Sequence, residues 1–357
     1  MKIVKIIIYI FFIFNVNFLK AEIKALWVPI WEINRAGKID TLFLDIEDQE
    51  FDQLLVQVRY RGDAAYIPNK RDASFPNPEK KYFGISDSTF DPLEYIIDKA
   101  EEREIEVHAW FTTFIITGHD LTKLDSSHVF FTHPEWITSQ FTSQPMDYQE
   151  DMGAFLDPGI PEVQDYTLNV ILDVVANYAI DGIHLDYIRY PGTYFGFNEL
   201  AKKTFKAEVK YQDANSWQQW KLDQVTRFVA KVSQSAKEIS PEIRVSAAVF
   251  SDADEAHEKY SQDWMFWLDK GYIDEAYTMS YTTSTKRLEQ DLTFLKNYKL
   301  NDKIVIGLRA WENGNSYPAG KIKEKIKVIG KLDYAGFALF SYSGIKQAEY
   351  FKNLKIK

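Results

Sequence analysis

The residues with the clearest chemical potential lie in DGIHLDYIRYP, positions 181–191. A short apolar run, Gly182-Ile183-His184-Leu185, ends on one carboxylate, Asp186. The chain then leaves as an aromatic and cationic loop carrying Tyr187, Arg189, Tyr190 and Pro191. A carboxylate ending a buried strand either performs chemistry or is bonded into a structural network, here with Arg59 or Arg189 as the partner. The C-terminal ends of strands are where a parallel α/β barrel keeps its reacting groups, which favours chemistry for Asp186. Asp181, at the other end of the run, is expected to finish the preceding helix. The aromatic rim suits a sugar, because Trp and Tyr present a flat apolar face with a polar edge.

Hydrolysis of a glycosidic bond ordinarily takes two carboxyl groups, one protonating the leaving oxygen and one acting as nucleophile or activating water. Glu312 follows a predicted seventh strand directly, and an acid after strand four paired with one after strand seven is a known barrel arrangement. Asp252, just past a predicted fifth strand, and Asp157, in FLDPG, are rivals; each also reads as a loop acid or turn cap. Glu275 opens a strand and so belongs to the stability face. Arg59 and Asp63, in RYRGDA, could hold substrate hydroxyl or carboxylate groups, or pair with each other. His108 and Trp110 alternate along one face of a third strand, so they and His184 could line one cavity as acid–base groups or as packed barrel residues. Tyr281 and Trp311, at the ends of strands six and seven, could be sugar platforms or core.

Eight apolar runs are predicted as strands: 25–29, 53–59, 105–111, 182–186, 244–250, 276–281, 303–311 and 336–342. LLVQV, IVIGL and GFALF show no polar alternation, which fits strands covered on both faces. Between them lie helical patterns. Asp91-Pro92 is an N-cap followed by Pro at the first helical position, with Leu93, Ile96, Ile97 and Ala100 at helical spacing. Similar periodicity covers 161–178 and 216–239. The longest irregular stretch, 112–159, follows the third strand and would wall the cleft of a barrel. The expectation is a single-domain TIM (β/α)8 barrel over 22–357.

Residues 1–21 read as a secretory signal: Lys2 and Lys5, an apolar stretch from Ile6 to Phe14, and Leu19-Lys20-Ala21 before Glu22. The apolar stretch is short for a spanning helix, although an uncleaved anchor is the alternative. A periplasmic or secreted location is therefore expected. Removing the segment takes three lysines and shifts the formal charge from −10 to −13, which argues against nucleic acid as a partner. The absence of cysteine excludes disulfides, thiolate nucleophiles and Cys-ligated metals. Six histidines with no HExxH, and no GxSxG, P-loop or GxGxxG in context, argue against zinc, serine-esterase and nucleotide chemistry. No metal and no cofactor is expected.

LLVQVRYRGDAAYIPN, FDPLEYIIDKAEEREIEVHAWF, HPEW, FLDPGIPEVQDY and DGIHLDYIRYP occur in the order seen in glycosyl hydrolase-like family ten, which the chain resembles over nearly its whole mature length. The resemblance implies a TIM barrel and glycoside hydrolase activity, with some members acting on peptidoglycan glycan strands. One departure matters: many members read HFDDYFYP where this chain reads HLDYIRYP, so Asp186 matches the first Asp and Tyr187 replaces the second. Adjacent strand residues point to opposite faces, so only one of the two is expected to face the cleft. The expected function is hydrolysis of a polysaccharide, cell-wall glycan included, with Asp186 as general acid and Glu312 as nucleophile or base. A barrel that binds glycan without cleaving it, and a transglycosylase, are the alternatives.

Overall fold

The computed structural model describes residues 22–312, 314–346 and 350–356; the signal-like segment 1–21 lies outside them. Eight parallel strands close into a barrel: β1 (Ile23–Val28), β2 (Gln53–Tyr60), β3 (Glu106–Thr112), β4 (Gly182–Asp186), β5 (Arg244–Val249), β6 (Glu275–Met279), β7 (Ile304–Arg309) and β8 (Gly336–Phe340). Each pairs with its sequence neighbours, and β8 returns to β1 in the register Ile23 opposite Gly336, which closes the ring. All eight expected strands are present. The expected 303–311 run stops at Arg309, and Trp311 and Glu312 pair instead with Ser316 and Asn315 in a two-residue antiparallel ribbon.

The apolar residues divide into two cores because each strand is covered on both faces. The outer core joins Leu26, Leu54, Val107, Ile183 and their neighbours to the helices. The inner core fills the barrel with Trp27, Leu55, Trp110, Tyr277, Val305 and Ala338. The helices follow the capping chemistry of the sequence. In α1 (Pro92–Glu101) the Asp91 carboxylate accepts from the Glu94 N–H at 3.2 Å, with Pro92 in the first turn and Leu93, Ile96 and Ala100 buried. Next come α2 (Pro161–Asn177) and α3 (Ala214–Ile239), the latter two residues longer at its start than the periodicity indicates. The two extra residues are set by a capping box: Asp213 accepts from the Ser216 N–H at 2.7 Å, and the Ser216 hydroxyl accepts from the Asp213 N–H at 2.9 Å.

The bottom of the barrel is a polar plug. Glu106 accepts from Gln53 at 2.8 Å and Arg244 at 3.0 Å, lies 3.3 Å from His108 Nε2, and Arg244 also pairs with Glu275. Every member except His108 opens a strand, so this network holds the stability face, as expected for Glu275. Asp181 does not close the helix before β4. Its carboxylate accepts from the Val107 N–H at 2.8 Å and ties down the start of β3.

Candidate active site

At the C-terminal end of the barrel a cavity of about 380 Å³ has Asp186 in its wall. Strand β4 places it there: the register puts Asp186 beside Thr112, the last residue of β3. Neither arginine offered by sequence pairs with it. Trp110 Nε1–H donates to Asp186 Oδ2 at 3.0 Å, and the Tyr187 backbone N–H donates to Oδ1 at 2.7 Å. Burial pushes the Asp186 carboxyl up to about 6, against the opposing pull of those two donors and of Arg189. A carboxyl group so poised can hold a proton near neutral pH and release it to a leaving oxygen.

Tyr187 lines the same cavity as Asp186, contrary to the strand-alternation argument. The strand ends at Asp186, and Tyr187 adopts a left-handed backbone with φ 52°. Alternation therefore stops one residue too early to send its ring outward. A bulky residue at positive φ is unfavourable and is found where the surroundings over-determine it. Arg189 turns its guanidinium into a cage of rings, 5.0 to 5.7 Å from the centroids of Tyr260, Phe250, Tyr187 and Phe155, and donates to the Tyr190 carbonyl at 3.1 Å. It lies on the cavity wall as a buried cation. Tyr281 lines the cavity with its ring stacked on Phe340, centroids 5.4 Å apart and planes 26° apart. Trp27 and Phe340 meet edge to face at 5.7 Å in the same wall. The result is an acid in a largely aromatic pocket.

Several sequence candidates lie elsewhere. His184 is buried in the barrel interior. Trp27 Nε1–H donates to its Nε2 at 3.1 Å, so a neutral ring carries its proton on Nδ1 and donates it to Ser246 Oγ at 2.9 Å. Burial, with His108 nearby, drives its pKa well below the usual histidine value, and neither nitrogen is left for substrate. His108 sits against Glu106 in the bottom plug, because interior-facing positions two apart on a tilted strand occupy different layers. Gly182 makes room for it: a Cβ there would fall 2.5 Å from His108 Nδ1. Trp110, one layer up, touches the acid rather than pairing with His108.

Arg59 is fully buried and pairs with Glu79 rather than Asp63, through Nε at 2.9 Å and Nη2 at 2.6 Å, while Nη1 donates to the Thr112 and Thr113 carbonyls. It staples the loop after β2 to the end of β3. Asp157 is also fully buried; it accepts from Thr138 Oγ1 at 2.8 Å and the Gly159 N–H at 2.9 Å, which is the turn role. Asp252 caps the helix Ala253–Tyr260 by accepting from the Glu255 N–H at 3.0 Å. Tyr190, expected on the rim, is fully buried, with the Lys221 ammonium 5.2 Å from its ring. The loop turns inward after Arg189, since the Tyr190 N–H donates to the Tyr260 carbonyl at 3.0 Å.

Trp311 is 42% exposed on the rim, with the Arg309 guanidinium 4.7 Å over its ring. The Glu312 side chain lies outside the described residues. Asp63 borders two smaller cavities on the β2 side, and burial together with Glu79 pushes its carboxyl up to about 8. The stretch 112–159 does reach the cleft through Met152. It is more ordered than its composition indicates, with a turn of helix at Val129–Thr132 and bridges from Ile115 to Phe155 and Ile137 to Leu156. Phe250, Tyr260, Met279 and Phe340 are cavity residues that sequence reasoning missed. Met279 and Phe340 end β6 and β8, and Phe250 follows β5, so strand ends were the available signal; Tyr260, at a helix end, carried none. Among the described residues no cluster of His, Asp and Glu could hold a metal ion.

An acid at the C-terminal rim of an eight-stranded parallel barrel, set among aromatic rings, defines a glycosidase-like protein. The chain belongs to the family described as glycosyl hydrolase-like 10, whose profile matches residues 22–311. It is 29% identical over 246 residues to glycosyl hydrolase YngK of Bacillus subtilis (strain 168), covering 64% of this chain and 45% of that protein. It is 30% identical over 165 residues to glycosyl hydrolase DigH of Escherichia coli (strain K12), covering 43% of this chain and 34% of that one. The chain thus matches less than half the length of these relatives. Among solved structures, the PgaB (BpsB) glycoside hydrolase domain of Bordetella bronchiseptica superimposes with a TM-score of 0.73 at 12% identity, covering 94% of this chain and 98% of that domain. At that identity the likeness concerns the fold.

Proposed function

We propose that this protein hydrolyses glycosidic bonds of an extracytoplasmic polysaccharide, with cell-wall glycan the first candidate and Asp186 the general acid. The observation that carries the reading is the Asp186 carboxyl itself: held by Trp110, raised to about 6, and open to an aromatic-walled cavity at the catalytic face of the barrel. The aromatic wall offers stacking faces for a pyranose ring. Glu312, on the ribbon just after β7, is the second acid of this proposal, as nucleophile or base. The names of the matched relatives agree with a hydrolase acting on glycans. Residues 1–21 support export, and N-terminal sequencing of exported protein is expected to begin at or near Glu22.

A second reading, a barrel that binds glycan without cutting it, draws on one observation: Asp186 is the sole carboxylate among the described residues lining the cavity. The deciding experiment incubates the protein with peptide-free peptidoglycan strands and with neutral polysaccharides, and measures new reducing ends. Release that falls about a hundredfold or more in Asp186→Asn supports the proposal. Binding without release favours the second reading, and neither binding nor release overturns both.

A further inference from the structure

Beside the Asp186 cavity lies a second hollow of about 220 Å³, walled by Tyr60, Arg61, Phe83, Gly118 and Lys123, with Asp63 at its inner edge. The two are joined through the backbone. Arg61 N–H donates to Thr112 Oγ1 at 2.8 Å, and Thr112 is the register partner of Asp186 on the adjacent strand, a spacing of about 4.8 Å. They are also joined electrostatically, since the Tyr187 phenol, which lines the Asp186 cavity, feels both Arg61 and Tyr60.

Arg61 is half-buried, yet no carboxylate lies within ion-pair distance of it and its guanidinium makes no hydrogen bond among the described residues; it rests 5.0 Å from the Tyr60 ring centroid. Elsewhere in this chain the buried guanidinium of Arg59 takes a carboxylate. The hollow is shaped around Arg61: a Cβ on Gly118 would fall 2.0 Å from Arg61 Nη1, so a larger residue there would displace the guanidinium. Arg61 itself is held at φ 56°, a strained backbone for a long side chain. Lys123 adds a second cation, with no carboxylate in ion-pair distance among the described residues although Asp120 lies within its electrostatic reach; its ammonium is 5.1 Å from the ring of Phe83, a residue 47% exposed. Trp31, 40% exposed, meets Tyr60 edge to face at 5.8 Å and extends the aromatic floor outward.

Two acids border the hollow. Asp120 is a solvent-exposed turn carboxylate already accepting from Thr122 N–H and Oγ1. Asp63 is raised to about 8 by burial and Glu79, so at neutral pH it is predominantly a neutral donor that does not repel an anion.

We infer that this hollow is a subsite for a sugar unit that carries a carboxylate, with Arg61 taking the carboxylate, Lys123 supporting it and the Tyr60 and Phe83 rings meeting the sugar face. A guanidinium presents a planar fork that matches a carboxylate, and rings on either side select the sugar that bears it. The inference rests on the glycan-acting reading and adds charge selectivity to it. The carboxylate could belong to the lactyl ether of a muramoyl residue or to a uronic acid.

The test is binding by calorimetry, using Asp186→Asn so that no probe is consumed. The probes are peptide-free peptidoglycan strands and hyaluronan oligosaccharides, each beside its carboxyl-reduced form. At least one acidic glycan is expected to bind about tenfold or more tightly than its reduced form. That preference is expected to disappear in Arg61→Gln and to weaken in Lys123→Gln and at raised salt, with affinity for the reduced form unchanged. Preference for the peptidoglycan strands alone assigns the lactyl carboxylate, and preference for hyaluronan alone assigns a uronate. Equal binding of acidic and reduced forms overturns the subsite while leaving glycan action intact, and so does a preference that survives both substitutions. Binding of no glycan in any form removes the glycan reading and the subsite with it. Lys123 is on an exposed loop, so its variant keeps the test decisive should Arg61→Gln unfold.

Discussion

Replacing Asp186 by Asn tests the desolvated carboxyl through stability as well as turnover. The folded carboxyl titrates at about 6 and the ordinary value is 3.8. The difference corresponds to about 3 kcal/mol, an upper bound because the cavity admits solvent. The folded chain holds this proton more tightly than the unfolded chain. The contribution is therefore fully present below about pH 4 and is lost as pH rises through about 6. Asn carries no such titration. At one fixed pH the comparison also contains the exchange of an oxygen for an NH2 facing the Trp110 and Tyr187 donors, so only the pH dependence isolates the charge. Between pH 4 and pH 7.5 the variant should gain up to about 2.5 kcal/mol on the parent, read from urea unfolding of both proteins at each pH. A difference that stays constant across that range would refute the desolvated carboxyl. The same group should set the alkaline limb of activity: as general acid, Asp186 gives a kcat/KM that falls about tenfold per pH unit above about 6.

Trp110→Phe removes the donor that favours the carboxylate, so the Asp186 pKa should rise and the alkaline limb should move to higher pH; an unmoved limb removes Trp110 as a positioning residue. Arg59→Ala leaves Glu79 buried without its partner and should destabilise by about 3–5 kcal/mol in urea unfolding, whereas a loss under about 1 kcal/mol would show that the pair is solvated. Tyr190→Ala empties a fully buried site and should cost about 3 kcal/mol or more, and a variant as stable as the parent would return Tyr190 to the rim.

The barrel was legible because its strands are buried on both faces and its helices carry explicit start signals. LLVQV and GFALF read as strand whatever surrounds them, and Asp91-Pro92 marks a helix start by local chemistry alone. Chain order then leaves little freedom in how eight such units close. The boundaries that slipped were those set by local bonds the periodicity does not register: the Asp213–Ser216 box extended α3, and the ribbon at Trp311 cut β7 short.

The site was legible only in part, because a side chain's role depends on partners distant in sequence. Arg59, Asp157 and Tyr190 have the residue types of a binding rim, yet each is bonded or packed inward by something sequence does not align with it: Glu79, Thr138 and the Tyr260 carbonyl. His108 and His184 share a barrel interior with the acid but lie in lower layers, a distinction that depends on strand tilt and register rather than on alternation.

Tyr187 shows the same limit from the other side. Alternation places it opposite Asp186, and the rule fails because the strand has already ended and Tyr187 itself takes a left-handed backbone. Two consecutive positions can therefore face one cavity in this fold. In this chain they bring a carboxyl raised to about 6 and a phenol whose pKa is itself raised, by burial and by Asp186. The phenol stays protonated throughout the range in which Asp186 titrates, so the first position is suited to exchange a proton and the second to present a ring and a hydroxyl. With Tyr at position 187, Asp186 is the one carboxyl of this adjacent pair, and Tyr187 adds its ring to the wall of the same cavity.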